Sequence, residues 1–244
     1  MSDRKSSRLI FPGLIVVTLI AASAVYFLRP SESVASQALE KAQSSSKLQS
    51  LAELDDKAPT NRKLDVQTWT TAEGTKVLFV EAHELPMFDM RILFAAGSSQ
   101  DGNVPGLALM TNAMLNEGVP GKDVSQIARD FEGLGADFGN GAYRDMALVS
   151  LRSLSDSSKR DAALSLFDQV IGKPTFPADS LARIKNQILA GFEYQKQNPG
   201  KLASLELFKR LYGDHPYAHP SEGTPDSVPK ITIAQLQAFH AKAY

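Results

Sequence analysis

Beyond residue 64 the spacing of apolar positions changes several times, and each change marks an element. TKVLFVEAHE (75–84) and FDMRILFAAGS (88–98) are dense in Val, Ile, Phe and Leu and are separated by Leu85-Pro86-Met87. Each ends in turn formers, so both predict strands. Helical spacing comes next: Leu107, Met110, Ala113 and Met114 fall at i, i+3, i+6 and i+7, with Gly118 as a stop. Val124, Ile127, Ala128, Phe131 and Leu134 form a second stripe, with Asp123 placed to cap it. ADFGNGAYRD (136–145) and MALVSLRSL (146–154) predict a β-hairpin, whose Gly-Asn-Gly suits a bulge or turn better than a phosphate loop. Three helices are predicted over 159–172, 179–195 and 200–212. The middle one carries Leu181, Ile184, Ile188 and Phe192 on one face, and Asn198-Pro199-Gly200 breaks it. A last helix, Ile233–Ala243, begins after Thr232 as its cap. Strands grouped in antiparallel pairs, with helices between and after them, predict an α+β domain: an antiparallel sheet packed against helices.

The N-terminus has a different texture. Arg4, Lys5 and Arg8 precede an uncharged run over residues 9–28. At about 1.5 Å per residue this run is long enough to cross a hydrocarbon core of about 30 Å. Its basic flank is expected to stay cytoplasmic, so that the chain beyond residue 28 is exported. Ala22-Ser23-Ala24 offers the rival reading of a cleaved signal peptide, but apolarity continues through Val25-Tyr26-Phe27-Leu28. The expected plan is a cytoplasmic flank (1–8), a transmembrane signal anchor (9–28), a Ser/Ala-rich linker (29–65) and a globular domain (66–244). This puts the domain on the periplasmic face of a bacterial inner membrane.

Composition narrows the chemistry. Apolar residues are 43% and charged residues 22% of 244, ordinary for a chain with a substantial core. A net charge of −1 and the lack of a basic run interleaved with aromatics argue against nucleic acid as a partner. The absence of cysteine excludes thiol catalysis and thiolate metal sites.

A set of short motifs occurs in order: AAGSSQD closing a strand pair, PGLA opening a helix, MLNEGV, LGADFGNGAYRD, QNPG, HPYAHPSEGTPDSV and LQAFHAKAY. Together they resemble the N-terminal domain of the pitrilysin/insulinase family of zinc metallopeptidases, which includes the processing peptidases. In that family the helix after PGLA carries H-x-x-E-H, two His one turn apart that bind zinc and a Glu that activates the metal-bound water. The corresponding residues here are Leu109-Met110-Thr111-Asn112-Ala113. Leu109 and Ala113 offer a metal no lone pair, and Asn112 is no base at neutral pH. The family's third ligand, a Glu on a later helix, falls at Ala190 or Gly191, with Glu193 the nearest carboxylate. The resemblance therefore implies a degenerate homologue with no catalytic, cofactor-binding or metal-ligating residue of its own. Loss of the base alone typically costs ~10²–10⁴-fold in rate. LQAFHAKAY resembles the segment just before a further family strand, so the domain is expected to lack its last strand.

Two other classes stay open. His215 and His219 are four apart, but Pro216 and Pro220 oppose the helix that would put them on one face. They read as loop histidines beside an anchoring Tyr217, although a displaced zinc site of His215, His219 and Glu222 is the alternative for an active enzyme. His83, at a strand end, and His240, in the last helix, read as surface residues. Ser98-Ser99 has no evident His partner, and no G-x-S-x-G elbow occurs. An envelope binding or scaffold module is the third reading. The expected function is a non-catalytic, peptide-binding subunit of a membrane-tethered complex. Its partners are a zinc-bearing catalytic homologue, which alone carries the zinc, and unfolded peptide held by strand addition.

Overall fold

The structure, a computed structural model, describes residues 64–244. The basic flank, the expected anchor over 9–28 and all but the last two residues of the expected linker lie outside the described residues. No helix among the described residues is long and apolar enough to cross a membrane. The chain divides into two units, up to Val80 and from Glu81 onward.

The described part of the first unit is a hairpin. Strand β1 (Val66–Thr70) pairs antiparallel with β2 (Lys76–Val80), in register from Val66↔Val80 to Thr70↔Lys76. Trp69 leans on Phe79 with ring centroids 6.2 Å apart. Two expectations are corrected here. The predicted strand over 75–84 is confined to Lys76–Val80, and its partner is β1 rather than the next strand in the chain. β1 escapes the sequence pattern because VQTWT interleaves its two large apolar residues with Gln and Thr. The tail Glu81–Pro86 adds charge and a proline, which cannot donate to a ladder.

In the second unit, β3 (Met87–Phe94), β6 (Asp137–Ala142) and β7 (Ala147–Leu154) form an antiparallel sheet in the order β3-β7-β6. The ladders run from Met87↔Leu154 to Phe94↔Ala147 and from Asp137↔Arg152 to Ala142↔Ala147. β7 is the central strand, and its period of two is clean: Ala147, Val149, Leu151 and Ser153 are buried. A second, two-residue ladder pairs β4 (Gly118–Val119) with β5 (Lys122–Asp123).

Six α-helices complete the unit: α1 (Leu107–Ala113), α2 (Val124–Leu134), α3 (Ser157–Gly172), α4 (Ala178–Gln195), α5 (Pro199–Tyr212) and α6 (Ile233–Ala243). Asp123 and Thr232 cap α2 and α6 as the sequence predicts, each in a reciprocal box with the Gln three residues on. Asn198 caps α5, accepting from the Lys201 N–H at 3.1 Å, with Pro199 at the first helical position.

The first helix is shorter than predicted. It stops at Ala113, and residues Leu115–Glu117 tighten into a 3₁₀ turn before Gly118 enters β4. The carbonyl of Asn112 is taken by the side chain of Asn140 at 2.7 Å, and buried Glu117 is drawn to Arg183 of α4. Both contacts pull the chain off the helical path. One apolar cluster joins α1, α4 and α6 through Met110, Met114, Ile184, Leu236 and Phe239. A second lies under the sheet around Leu115, Phe131, Val149, Leu151 and Phe167. Each such side chain contributes ~1.5–3 kcal/mol by leaving water.

Candidate functional site

The N-terminus of α1 is held from outside the helix. Asp101, 3% exposed, accepts from the Gly106 N–H at 2.8 Å and the Ala108 N–H at 2.7 Å, donors that a helix leaves unpaired. Burial pushes its carboxyl up to about 6, against the pull of the Ala108 and Gly106 donors and of His219, whose Nδ1 lies 3.9 Å away. Two glycines let the PGLA turn meet the Ser221-Glu222-Gly223 turn. Gly106 has φ +93° and Gly223 φ +81°. A Cβ on Gly106 would stand 3.0 Å from the Gly223 Cα, and one on Gly223 only 2.7 Å from the Pro105 carbonyl oxygen. Ser227 donates to that same oxygen at 2.8 Å. Motifs more than a hundred residues apart thus fix where α1 begins.

Along α1 the five positions of the inverted zinc motif separate into two groups. Met110, Thr111 and Asn112 are buried, whereas Leu109 and Ala113, the ligand positions, are only half-buried. Ala113 packs partly buried against the apolar cluster of Met110 and Met114, while Leu109 keeps part of its side chain exposed. Asn112, at the position of the base, donates through its Nδ2 to the Tyr244 hydroxyl at 3.1 Å. Burial pushes the Tyr244 phenol up to about 12, partly opposed by that bond. Tyr244 is packed in turn against Phe94 and His240, with centroids 4.8 and 5.3 Å apart. The base position has become a clamp on the C-terminal side of α6.

The other expected positions are equally unsuited to metal. Ala190 and Gly191 are exposed on α4, and Glu193 pairs with Lys196 at 2.7 Å. His215 accepts from the Tyr217 N–H through Nδ1 at 3.2 Å, His219 faces Asp101, and Glu222 pairs with Lys201 at 2.9 Å. Each of the three has its own partner. No group of three or more His, Asp or Glu among the described residues is placed to hold a metal ion. Ser98 bonds Ser221 at 3.0 Å rather than a histidine.

Tyr217 does anchor its loop. Its hydroxyl donates to Asp145 at 2.6 Å, while Arg144 donates to its carbonyl at 2.8 Å and lies 4.3 Å over the Phe208 ring of α5. His83 is exposed and pairs with Glu81 at 2.9 Å. His240 corrects the sequence reading: it is half-buried, with Nε2 2.7 Å from the Ile171 carbonyl oxygen. Its apolar neighbours in α6 gave no hint that the far side also packs.

Asp101, Asn140, Arg144 and Tyr244 are site residues that sequence reasoning missed. Only Asp101 left a signal, as an acid shortly before a Pro-Gly helix entry. Beside α1 runs β6, at one edge of the three-stranded sheet among the described residues. Its DFGNGA sequence carries two glycines, and Asn140 ties it to the end of α1.

Comparison with known proteins agrees with this geometry. No protein-family model matches the chain. A solved structure of the peptidase M16 inactive domain from Pseudomonas fluorescens is similar, with 78% identity and a TM-score of 0.73, covering 74% of this chain and 44% of that one. A protease structure from Helicobacter pylori shares the fold at 17% identity and a TM-score of 0.63, over 73% of this chain and 43% of that one. Among curated proteins, the non-peptidase homolog YmxG of Helicobacter pylori is 27% identical over 169 residues, 69% of this chain and 39% of its own length. An uncharacterized zinc protease of Rickettsia felis is 22% identical over 171 residues, 68% of this chain and 41% of its own. The chain spans about two-fifths of the length of these curated relatives.

Proposed function

We propose that this degenerate homologue of the M16-like, pitrilysin-type zinc peptidases is a non-catalytic subunit that holds unfolded peptide for a zinc-bearing homologue. The zinc helix and its surroundings are kept while every metal ligand and the base are replaced. Similarity to a non-peptidase homolog and to an inactive peptidase domain supports the same reading.

The observation that carries the peptide-holding part is the position of β6, a sheet edge beside the vestigial helix. A sheet edge presents unpaired N–H and C=O groups, and an extended peptide can add to it as a further strand with little sequence reading. Gly139 and Gly141 leave the strand without side chains at two of its six positions, which eases close approach of another backbone. β3 is the opposite edge, but no hydrogen bond ties it to the zinc motif. In this proposal residues 9–28 tether the chain to a membrane, with the domain on the extracytoplasmic side.

Binding of an unstructured fluorescent peptide to the purified full chain, followed by anisotropy, tests the edge. The same peptide methylated on alternate backbone nitrogens is expected to bind at least tenfold more weakly. Equal binding of the two would rule out strand addition.

A further inference from the structure

Asn140 is the only asparagine in the sequence that is followed by glycine. An asparagine is labile where the next backbone nitrogen can reach its side-chain carbonyl carbon, and glycine, with no Cβ, leaves that approach open. The other asparagines precede Arg, Val, Ala, Glu, Gln or Pro. Their side chains hinder the approach, and Pro199 lacks the N–H altogether.

Asn140 also stands where a change would be felt. It is exposed on β6, an edge strand among the described residues, and the ladder with β7 ends at Ala142↔Ala147. Its Nδ2 donates to the Asn112 carbonyl at 2.7 Å and to Asn116 Oδ1 at 3.3 Å. Both partners are acceptors. This tie between β6 and α1 therefore needs an amide donor at residue 140.

We propose that Asn140-Gly141 is a site of spontaneous deamidation and that the reaction severs this tie. The Gly141 nitrogen bonds to Asn140 Cγ and gives up its proton, while Nδ2 leaves as ammonia and a succinimide ring closes. Water then opens the ring at either carbonyl, giving aspartate or isoaspartate without any oxidant or reductant. Each product carries a carboxylate where the donor stood, facing two oxygens. Isoaspartate also adds one carbon to the backbone between residues 140 and 141, which takes Gly141 and Ala142 out of register with Leu148 and Ala147. In the closed fold the clamp on Nδ2 and the extended strand keep the reacting atoms apart. The rate then follows transient opening of the β6 edge. None of this depends on peptide binding at that edge.

The test incubates the full chain at mildly alkaline pH and follows each asparagine by peptide mass spectrometry, scoring isoaspartate separately at residue 140. Asn140 is expected to convert ahead of every other asparagine, yet about tenfold or more slowly than in the same chain unfolded in urea. Gly141→Ala is sterically acceptable, since a Cβ there would meet the Tyr143 ring at an ordinary 3.7 Å, and it is expected to slow conversion severalfold. Asn140→Asp, which carries the charge of the product, is expected to speed amide hydrogen exchange at the C-terminal end of α1. Asn140 remaining intact in the folded chain after the unfolded chain has converted, or conversion indifferent to Gly141→Ala, overturns the site. Unchanged exchange in Asn140→Asp overturns the loss of the tie.

Discussion

At the scale of single residues, Asn112 of α1 serves as an anchor. Asn112 cannot take a proton from water, and its amide is committed to Tyr244. Asp101 is a buried group whose ionisation is clearly displaced. Its folded pKa, raised to about 6 by burial, lies above its unfolded value. The folded state therefore binds the extra proton, and stability falls as pH rises from about 4 through 6. Above that window the charged carboxylate remains tolerable because two backbone N–H groups hold it. The expected outcome is a carboxyl ¹³C titration for Asp101 with its midpoint near 6, accompanied by a falling urea midpoint over the same range. A midpoint in the ordinary carboxylate range, near 4, contradicts the buried geometry. Little of this was legible in the sequence, because the distant group that faces buried Asp101 is His219, more than a hundred residues along the chain. The replacement of the motif at Leu109, Asn112 and Ala113 was fully legible, since residue type alone excludes metal ligation.

At the scale of elements, the helices and the β6–β7 hairpin read well, and the pairing of β3 and of β1 did not. Helices announce themselves through local periodicity and caps, as at Asp123 and Thr232. Pairing between β3 and β7 joins residues some sixty positions apart and leaves no local trace, and β1 has too weak an apolar pattern to declare itself. The half-buried state of Leu109 and Ala113 likewise needed the structure, and it decides what substitution can do. Leu109→His with Ala113→His places two imidazoles one turn apart on an accessible face. The third ligand and the base remain missing. Adding Asn112→Glu would remove the amide donor to Tyr244 and bury a carboxylate that only the Tyr244 hydroxyl is placed to meet, at a cost of ~1–3 kcal/mol. The double-His variant is expected to hold zinc only weakly, losing it on desalting, and to hydrolyse no unstructured peptide. Chelator-sensitive cleavage by that variant would show that the rest of the site is intact after all.

At the scale of the molecule, the proposal joins a tether, a domain and a partner. The tether rests on the uncharged run behind Arg4, Lys5 and Arg8. A reporter fused after Ser33 is expected to be active only where it is exported, and the mature protein is expected to keep its own N-terminus. A new terminus at Val25 would replace the anchor with a cleaved signal. The partner rests on the contrast between a retained zinc-helix scaffold and a site with no ligands. In the proposal, a second chain cuts what this one holds.

The most direct measurement is therefore a titration of the full chain into a purified zinc-bearing homologue from the same organism, monitoring cleavage of an unstructured peptide. The proposal predicts a saturable rise in cleavage rate or in affinity for the peptide, with a complex of the two proteins on sizing, while this chain alone cleaves nothing. An unchanged rate with no complex, or chelator-sensitive cleavage by this chain on its own, would contradict it.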